Sequence, residues 1–248
     1  MVGLYDRFIA NTPIARAVVA TIIITVVIIG MVVFIIFLQD GERKIPVQYA
    51  KKVQGRKMVG GQSSSIPLKV NTAGVIPVIF ASSIMQFPII IASFIGKGNG
   101  NGIGSKILRV LNQGEWCNFS SLSDFKYTLG LLIYIVLIIF FAYFYTSVTF
   151  NPIEVANNMK KQGGFIPGIR PGRPTTDYLT KVLNNIIFIG AAGLTVVAIV
   201  PIFFSGAFGA NVSFSGTSLI IIVGVVLETM KQIESLMLVR HYKGFLND

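Results

Sequence analysis

The sequence predicts an all-α membrane protein with five transmembrane helices, on three observations. Only 12% of its 248 residues are charged and 53% are hydrophobic, whereas a soluble domain carries about 25% charged residues. Four uncharged apolar runs are each long enough to cross a bilayer, and a fifth is apolar in its first part. Basic residues crowd into alternate loops, as happens where loops sort to the two sides of a membrane.

The same composition narrows function. A formal charge of +11 would point to nucleic acid in a soluble chain. In a membrane chain it follows from topology, so its distribution matters more than its sum. Cys117 and His241 are each the single residue of their kind, which leaves no disulfide framework, multi-thiolate metal site or His pair. No Ser/His/Asp, Cys/His or paired-carboxylate set spans a plausible cleft, so neither an enzyme nor a cofactor is expected. Asp6, Arg7, Pro13 and Arg16 precede the first apolar run and no small-residue cleavage site follows it, which argues against a secretory signal peptide.

Residues 1–16 form a short segment before the first span, residues 17–38. That span has 22 residues without a charge and covers the hydrocarbon core of about 30 Å at about 1.5 Å per residue. Its many Val and Ile residues would favour a strand in water, but in lipid a helix satisfies its own backbone. Residues 39–72 form a basic loop in which Arg43, Lys44, Lys51, Lys52, Arg56, Lys57 and Lys69 outnumber Asp40 and Glu42. Alternation in GERKIPVQYAKK and a turn at Gly60-Gly61 predict a hairpin excursion into water.

The second span, residues 73–95, is interrupted by Pro77 and Pro88 and carries Ser82, Ser83 and Gln86 within about a turn of each other. Such a polar patch serves either helix–helix hydrogen bonding or the wall of an aqueous path. Residues 96–126 read as a long loop. Its GKGNGNGIGSK stretch fits neither the dinucleotide fingerprint nor the GK[ST] pattern, and no strand precedes it. Residues 127–148 are the third span, with aromatic residues near both ends, and residues 182–204 the fourth. A short uncharged loop, 205–216, leads to the fifth span, 217–239, and a tail, 240–248. The fifth span is apolar for only eleven residues, Thr217 to Leu227, or about 16 Å. Glu228, Lys231 and Glu234 then follow on one face, and Glu228 with Lys231 is spaced for an i,i+3 pair.

Between the third and fourth spans, residues 149–181 hold QGGFIPGIRPGRPT, Gln162 to Thr175. Pro167, Pro171 and Pro174 fix their own φ and push their neighbours out of helical geometry. Gly163, Gly164, Gly168 and Gly172 permit tight turns. The pattern predicts a rigid, projecting loop that presents Arg170.

Five spans put the termini on opposite sides. One side receives seven basic residues from the first loop, five from the second and three from the tail, against six on the other. The positive-inside rule therefore sends both large loops and the C-terminus to the cytoplasm, with the N-terminus and the 96–126 loop outside. An odd span count is what one half of an inverted repeat requires.

Three motifs, in order and correctly placed between spans, carry a resemblance. They are ERKIPVQYAKKVQGRK, SSSIPLKVNTAGVIPVIFASS and GGFIPGIRPGRPT, and they resemble the SecY family, the main subunit of the bacterial Sec protein-conducting channel. Correspondence runs from about Ala17 to the C-terminus. The resemblance implies one half, the C-terminal one, of a ten-helix inverted-repeat channel in the bacterial cytoplasmic membrane, with the first span here matching the family's sixth. It further implies a pore closed by a ring of branched aliphatic residues, which Ile79 and Ile221 match, and a lateral gate to lipid walled by the second and third spans, where Ser82, Ser83 and Gln86 lie. The opposing gate helices and the plug belong to the other, N-terminal half.

By the same resemblance the two basic loops match the docking site for the ribosome, rRNA included, and for the SecA motor. Arg170 is the motif arginine, with Arg43, Lys51, Lys52, Arg56 and Lys57 beside it. The loop cations also suit anionic lipids. SecE and SecG, signal sequences and nascent polypeptide complete the implied partners. Two other readings compete: half of an inverted-repeat small-solute secondary transporter, and a truncated fragment without function of its own.

Overall fold

Without water to bond, a backbone in lipid must close its hydrogen bonds along itself, and the apolar runs do so as helices. The computed structural model describes residues 14–49, 52–54, 57–59, 63–94, 103–112, 116, 129–208 and 216–244. Helix α1 (Ile14–Asp40) leads into strands β1 (Glu42–Tyr49), β2 (Lys52–Gln54), β3 (Lys57–Val59) and β4 (Ser63–Lys69). Then follow α2 (Ile76–Phe94), α3 (Ile103–Leu111), α4 (Leu129–Thr149), α5 (Pro152–Lys161), β5 (Gly164–Phe165), α6 (Arg173–Phe208) and α7 (Gly216–Gly244).

Among the described residues four helical stretches are long and apolar enough to cross a membrane: Ile22–Asp40, Ile76–Phe94, one within Leu129–Lys161 and one within Arg173–Phe203. The protein is thus a multi-pass membrane protein. Helix α7 is long but its second half is polar, with Glu228, Lys231 and Glu234 exposed.

The helices pack around Ile35 and Leu38 of α1, Val78, Ala81 and Met85 of α2, Tyr134 and Ile138 of α4, Leu194 and Val197 of α6, and Ile220 of α7. Phe80 of α2 stacks on Phe141 of α4 with ring centroids 5.6 Å apart. Thr146 and Thr195 are buried, and each donates its hydroxyl to the carbonyl four residues earlier, at 2.8 and 2.7 Å. That bond lets a polar side chain sit inside a bundle without a partner helix.

The hairpin expected in the first loop is present. Strand β1 pairs antiparallel with β4 from Glu42↔Lys69 to Gln48↔Ser63, and β2 pairs with β3. The second loop then adds β5 to the free edge of β1, through Gln48↔Phe165 and Tyr49↔Gly164, giving the strand order β4-β1-β5. Two loops separated by two apolar helices in the chain are thereby one sheet.

Several sequence expectations are corrected. The 96–126 stretch is more than a loop, since it contains α3. Trp116 beyond it is buried, 5.6 Å from Tyr134 by ring centroids, with its indole N–H donating to the Val110 carbonyl at 2.7 Å. The glycine-rich lead-in hid the short amphipathic helix that follows. Pro77 does not interrupt α2 but lies in its first turn, where its missing N–H leaves no bond unmade; Pro88 alone is internal. The 149–181 stretch is partly helical: it holds α5 and the beginning of α6.

Candidate functional site: a basic loop unit and an adjoining cavity

The loop unit is built from local signals that agree. Asn151 caps α5, its side-chain oxygen accepting from the Ile153 N–H at 3.1 Å, with Pro152 beginning the helix, Glu154 in its first turn and Lys160 and Lys161 in its last. These charges complement the helix dipole. Gly163, at φ 74°, ends the helix and turns the chain into β5. At Gly164 any Cβ would stand 2.9 Å from both Met159 Cγ and Tyr49 Cε1, so a larger residue there requires those side chains to shift before the second loop docks on the first.

A second core lies beneath the sheet. Ile45 and Val47 of β1, Leu68 of β4, Ala156 and Met159 of α5, Ile166, and Leu179, Val182 and Ile186 of α6 are all buried together. The unit therefore draws on both loops and on the start of α6, which carries the rigid body into the membrane helix.

Arg170 stands exposed at the tip of this unit. The tip is shaped by a turn in which the Ile169 N–H donates to the Ile166 carbonyl at 3.0 Å, and by Gly168 and Gly172 at φ 84° and 111°. Those φ values are the left-handed region that glycine enters without steric penalty. Thr175 closes the tip from below, its hydroxyl donating to the Arg170 carbonyl at 2.9 Å. Arg43 and Lys44 are exposed on β1, and Lys44 pairs with Glu42 at 3.1 Å. Lys52 and Lys57 lie on the β2–β3 hairpin; Lys51 and Arg56 lie outside the described residues.

A cavity of about 790 Å³ opens beside the unit, between the turn before α2 and helix α7. It is lined by Val75 and Ile221 among apolar residues and by Gln39, Lys69, Asn71, Glu228 and Lys231 among polar ones. Gln39 donates its amide to the Ile220 carbonyl at 3.1 Å, tying the end of α1 to α7. The pair expected between Glu228 and Lys231 is replaced: Lys231 meets Asp40 at 2.6 Å. A partner from another helix, close in space, wins over one i,i+3 neighbour along the same helix. Asn71 is only 9% exposed, and neither its amide nitrogen nor its amide oxygen has a hydrogen-bond partner among the described residues.

Of the two isoleucines expected to match an apolar ring, Ile221 lines the cavity, while Ile79 is exposed on α2 one turn beyond Val75, whose carbonyl accepts from the Ile79 N–H at 3.2 Å. The polar patch on α2 is less uniform than its sequence. Ser82 donates to the Ile79 carbonyl of its own helix at 2.9 Å, whereas Ser83 and Gln86 are exposed. Among the described residues no three His, Cys, Asp or Glu side chains are grouped to hold a metal. Sequence reasoning missed Thr175, Asn71 and the Asp40–Lys231 pair. Only the proline-rich spacing around Thr175 hinted that the loop needed an outside hydrogen-bond donor.

Comparison with known proteins agrees with this geometry. The SecY family pattern matches residues 2–230. Protein translocase subunit SecY of Streptomyces galbus is 50% identical over 226 residues, covering 90% of this chain and 49% of the relative. The Mycobacterium bovis protein of the same name is 49% identical over 222 residues, covering 87% and 48%. A solved structure described as that of a protein conducting channel superposes with TM-score 0.59 at 20% identity, over 94% of this chain and 52% of the other. At that identity it speaks for the fold. The chain spans about half the length of the curated relatives it matches. With both loop motifs, their shared sheet and the helical frame accounted for, the chain belongs to the SecY family.

Proposed function

We propose that this chain acts as the C-terminal half of a SecY-type channel subunit, docking the partner that drives translocation and supplying one wall of the pore. The observation that carries this reading is the union of the two basic loops by β1 and β5 into one rigid unit, continuous with α6 and tipped by Arg170. A guanidinium held out in this way forks onto rRNA phosphate or a motor-protein carboxylate, so the ribosome and SecA are the expected partners, with Arg43, Lys51, Lys52, Arg56 and Lys57 adding a diffuse attraction. The chain performs no chemistry itself.

In the complete channel a second five-helix half would face the cavity, with SecE and SecG alongside. Helix α7 then serves as the fifth span, because its charged half turns to that protein surface and to water rather than to lipid. Ile79 and Ile221 would form part of an apolar constriction that resists water and ions yet flexes around a peptide. Ser83 and Gln86, with Ser82 beside them, would soften a lateral seam through which signal sequences and hydrophobic segments reach lipid. The setting is the bacterial cytoplasmic membrane, with the basic loops and C-terminus cytoplasmic and the N-terminus outside. Family membership weighs against the small-solute transporter.

Arg170→Glu tests the reading. In proteoliposomes holding the assembled channel, cosedimentation with ribosomes and with SecA should fall tenfold or more while membrane insertion is unchanged. Undiminished docking of both partners would remove Arg170 from the function.

A further inference from the structure

The exposed arginine is held by a buried hydroxyl. Thr175 lies in the first turn of α6 and is 0% exposed, as is Leu179 one turn later. Its Oγ1 reaches back over Pro171, Gly172, Arg173 and Pro174 to donate to the Arg170 carbonyl at 2.9 Å. Its own N–H donates to the Gly172 carbonyl at 3.0 Å, and the Thr176 N–H donates to the same oxygen at 3.2 Å. The interval offers few backbone donors, because Pro171 and Pro174 have no N–H. A side-chain hydroxyl therefore supplies what the backbone cannot, and it bonds the carbonyl of the arginine itself.

We infer that Thr175 is the positioning residue for Arg170: its hydroxyl, rather than its volume, fixes the tip conformation in which the guanidinium is presented. Ile166 and Leu179, near it in the chain, already bury apolar volume in the cluster beneath the sheet. Removing the hydroxyl leaves the Arg170 carbonyl without this donor, and the tip between Gly168 and Gly172, both left-handed, is the part of the unit free to relax. This inference rests on the docking role proposed above for Arg170.

Thr175→Val keeps the β-branched shape and removes the donor, Thr175→Ser keeps the donor, and Arg170→Glu tests docking itself. Each is made in the assembled channel in proteoliposomes and titrated with purified ribosomes and, separately, purified SecA. Amide hydrogen exchange at residues 168–176 and thermal unfolding are followed without partner. Thr175→Val should weaken docking roughly tenfold, the scale of one lost hydrogen bond. It should also speed exchange in the tip and leave the unfolding midpoint of the helices unchanged, while Thr175→Ser stays within about twofold of the parent.

Wild-type docking by Thr175→Val, beside loss in Arg170→Glu, would overturn the positioning role and leave the docking role standing. Equal weakening by Val and Ser would overturn it too, since the hydroxyl that Ser keeps would then not suffice to hold the tip. If Arg170→Glu docks normally the docking role fails, and exchange decides: faster tip exchange in Thr175→Val alone upholds the positioning, and unchanged exchange overturns it.

Discussion

The loop unit and the cavity beside it are built on opposite terms. In the loop unit the central elements close on others of the same chain: β1 is paired on both edges, α5 is capped, and Ile45, Val47 and Leu179 are buried in one cluster. Around the cavity the chain leaves business unfinished. Ile221 is 44% exposed, and the buried amide of Asn71 has no hydrogen-bond partner among the described residues. Lys231 and Glu228 line a space that apolar helices border, and lipid could not fill it cheaply. The difference teaches where rigidity is needed. On the function proposed above, a docking face would have to exist before its partner arrives, whereas a pore wall would take its final shape against the surface and substrate that oppose it.

That contrast can be broken at its strongest point first. Val47→Asp places a carboxylate in the fully buried centre of the sheet and should destabilise the loop unit by about 4 kcal/mol or more. Limited proteolysis should then cut within residues 42–69 while the helices stay protected; intact loops would mean that the sheet is not the unit's foundation. A smaller effect is expected from Gly164→Val, whose side chain meets Met159 and Tyr49. It should cost about 2 kcal/mol and detach β5 from β1, read as faster amide exchange at Tyr49.

The cavity side should respond in the other direction. Asn71→Leu removes a buried amide that has no partner, so thermal unfolding of this chain in detergent should be unchanged or raised by up to about 1 kcal/mol in stability. A loss comparable to that of Val47→Asp would show that the amide is satisfied after all, and the contrast between the two regions would weaken.

Much of this was legible in residues alone, for identifiable reasons. Spans follow from hydropathy because lipid allows few alternatives to a helix. The hairpin follows from alternation in GERKIPVQYAKK, and the turns around Arg170 from the prolines and glycines that flank it. Helix α3 escaped because its start is glycine-rich and its apolar stretch is short. The i,i+3 spacing of Glu228 and Lys231 suggested a partner along one helix, whereas the ion pair formed is to Asp40, far away in sequence and adjacent in space.

By itself, then, the sequence determined the membrane class, the basic loops, the arginine and the family resemblance, all of which depend on local composition and spacing. Only the tertiary structure decided that β5 joins β1, that Thr175 bonds Arg170 from within the core, and that Asn71 is buried with its amide unpartnered. Each of these is a meeting between residues that the chain keeps apart or a burial set by several helices at once. Short-range periodicity carries no record of either.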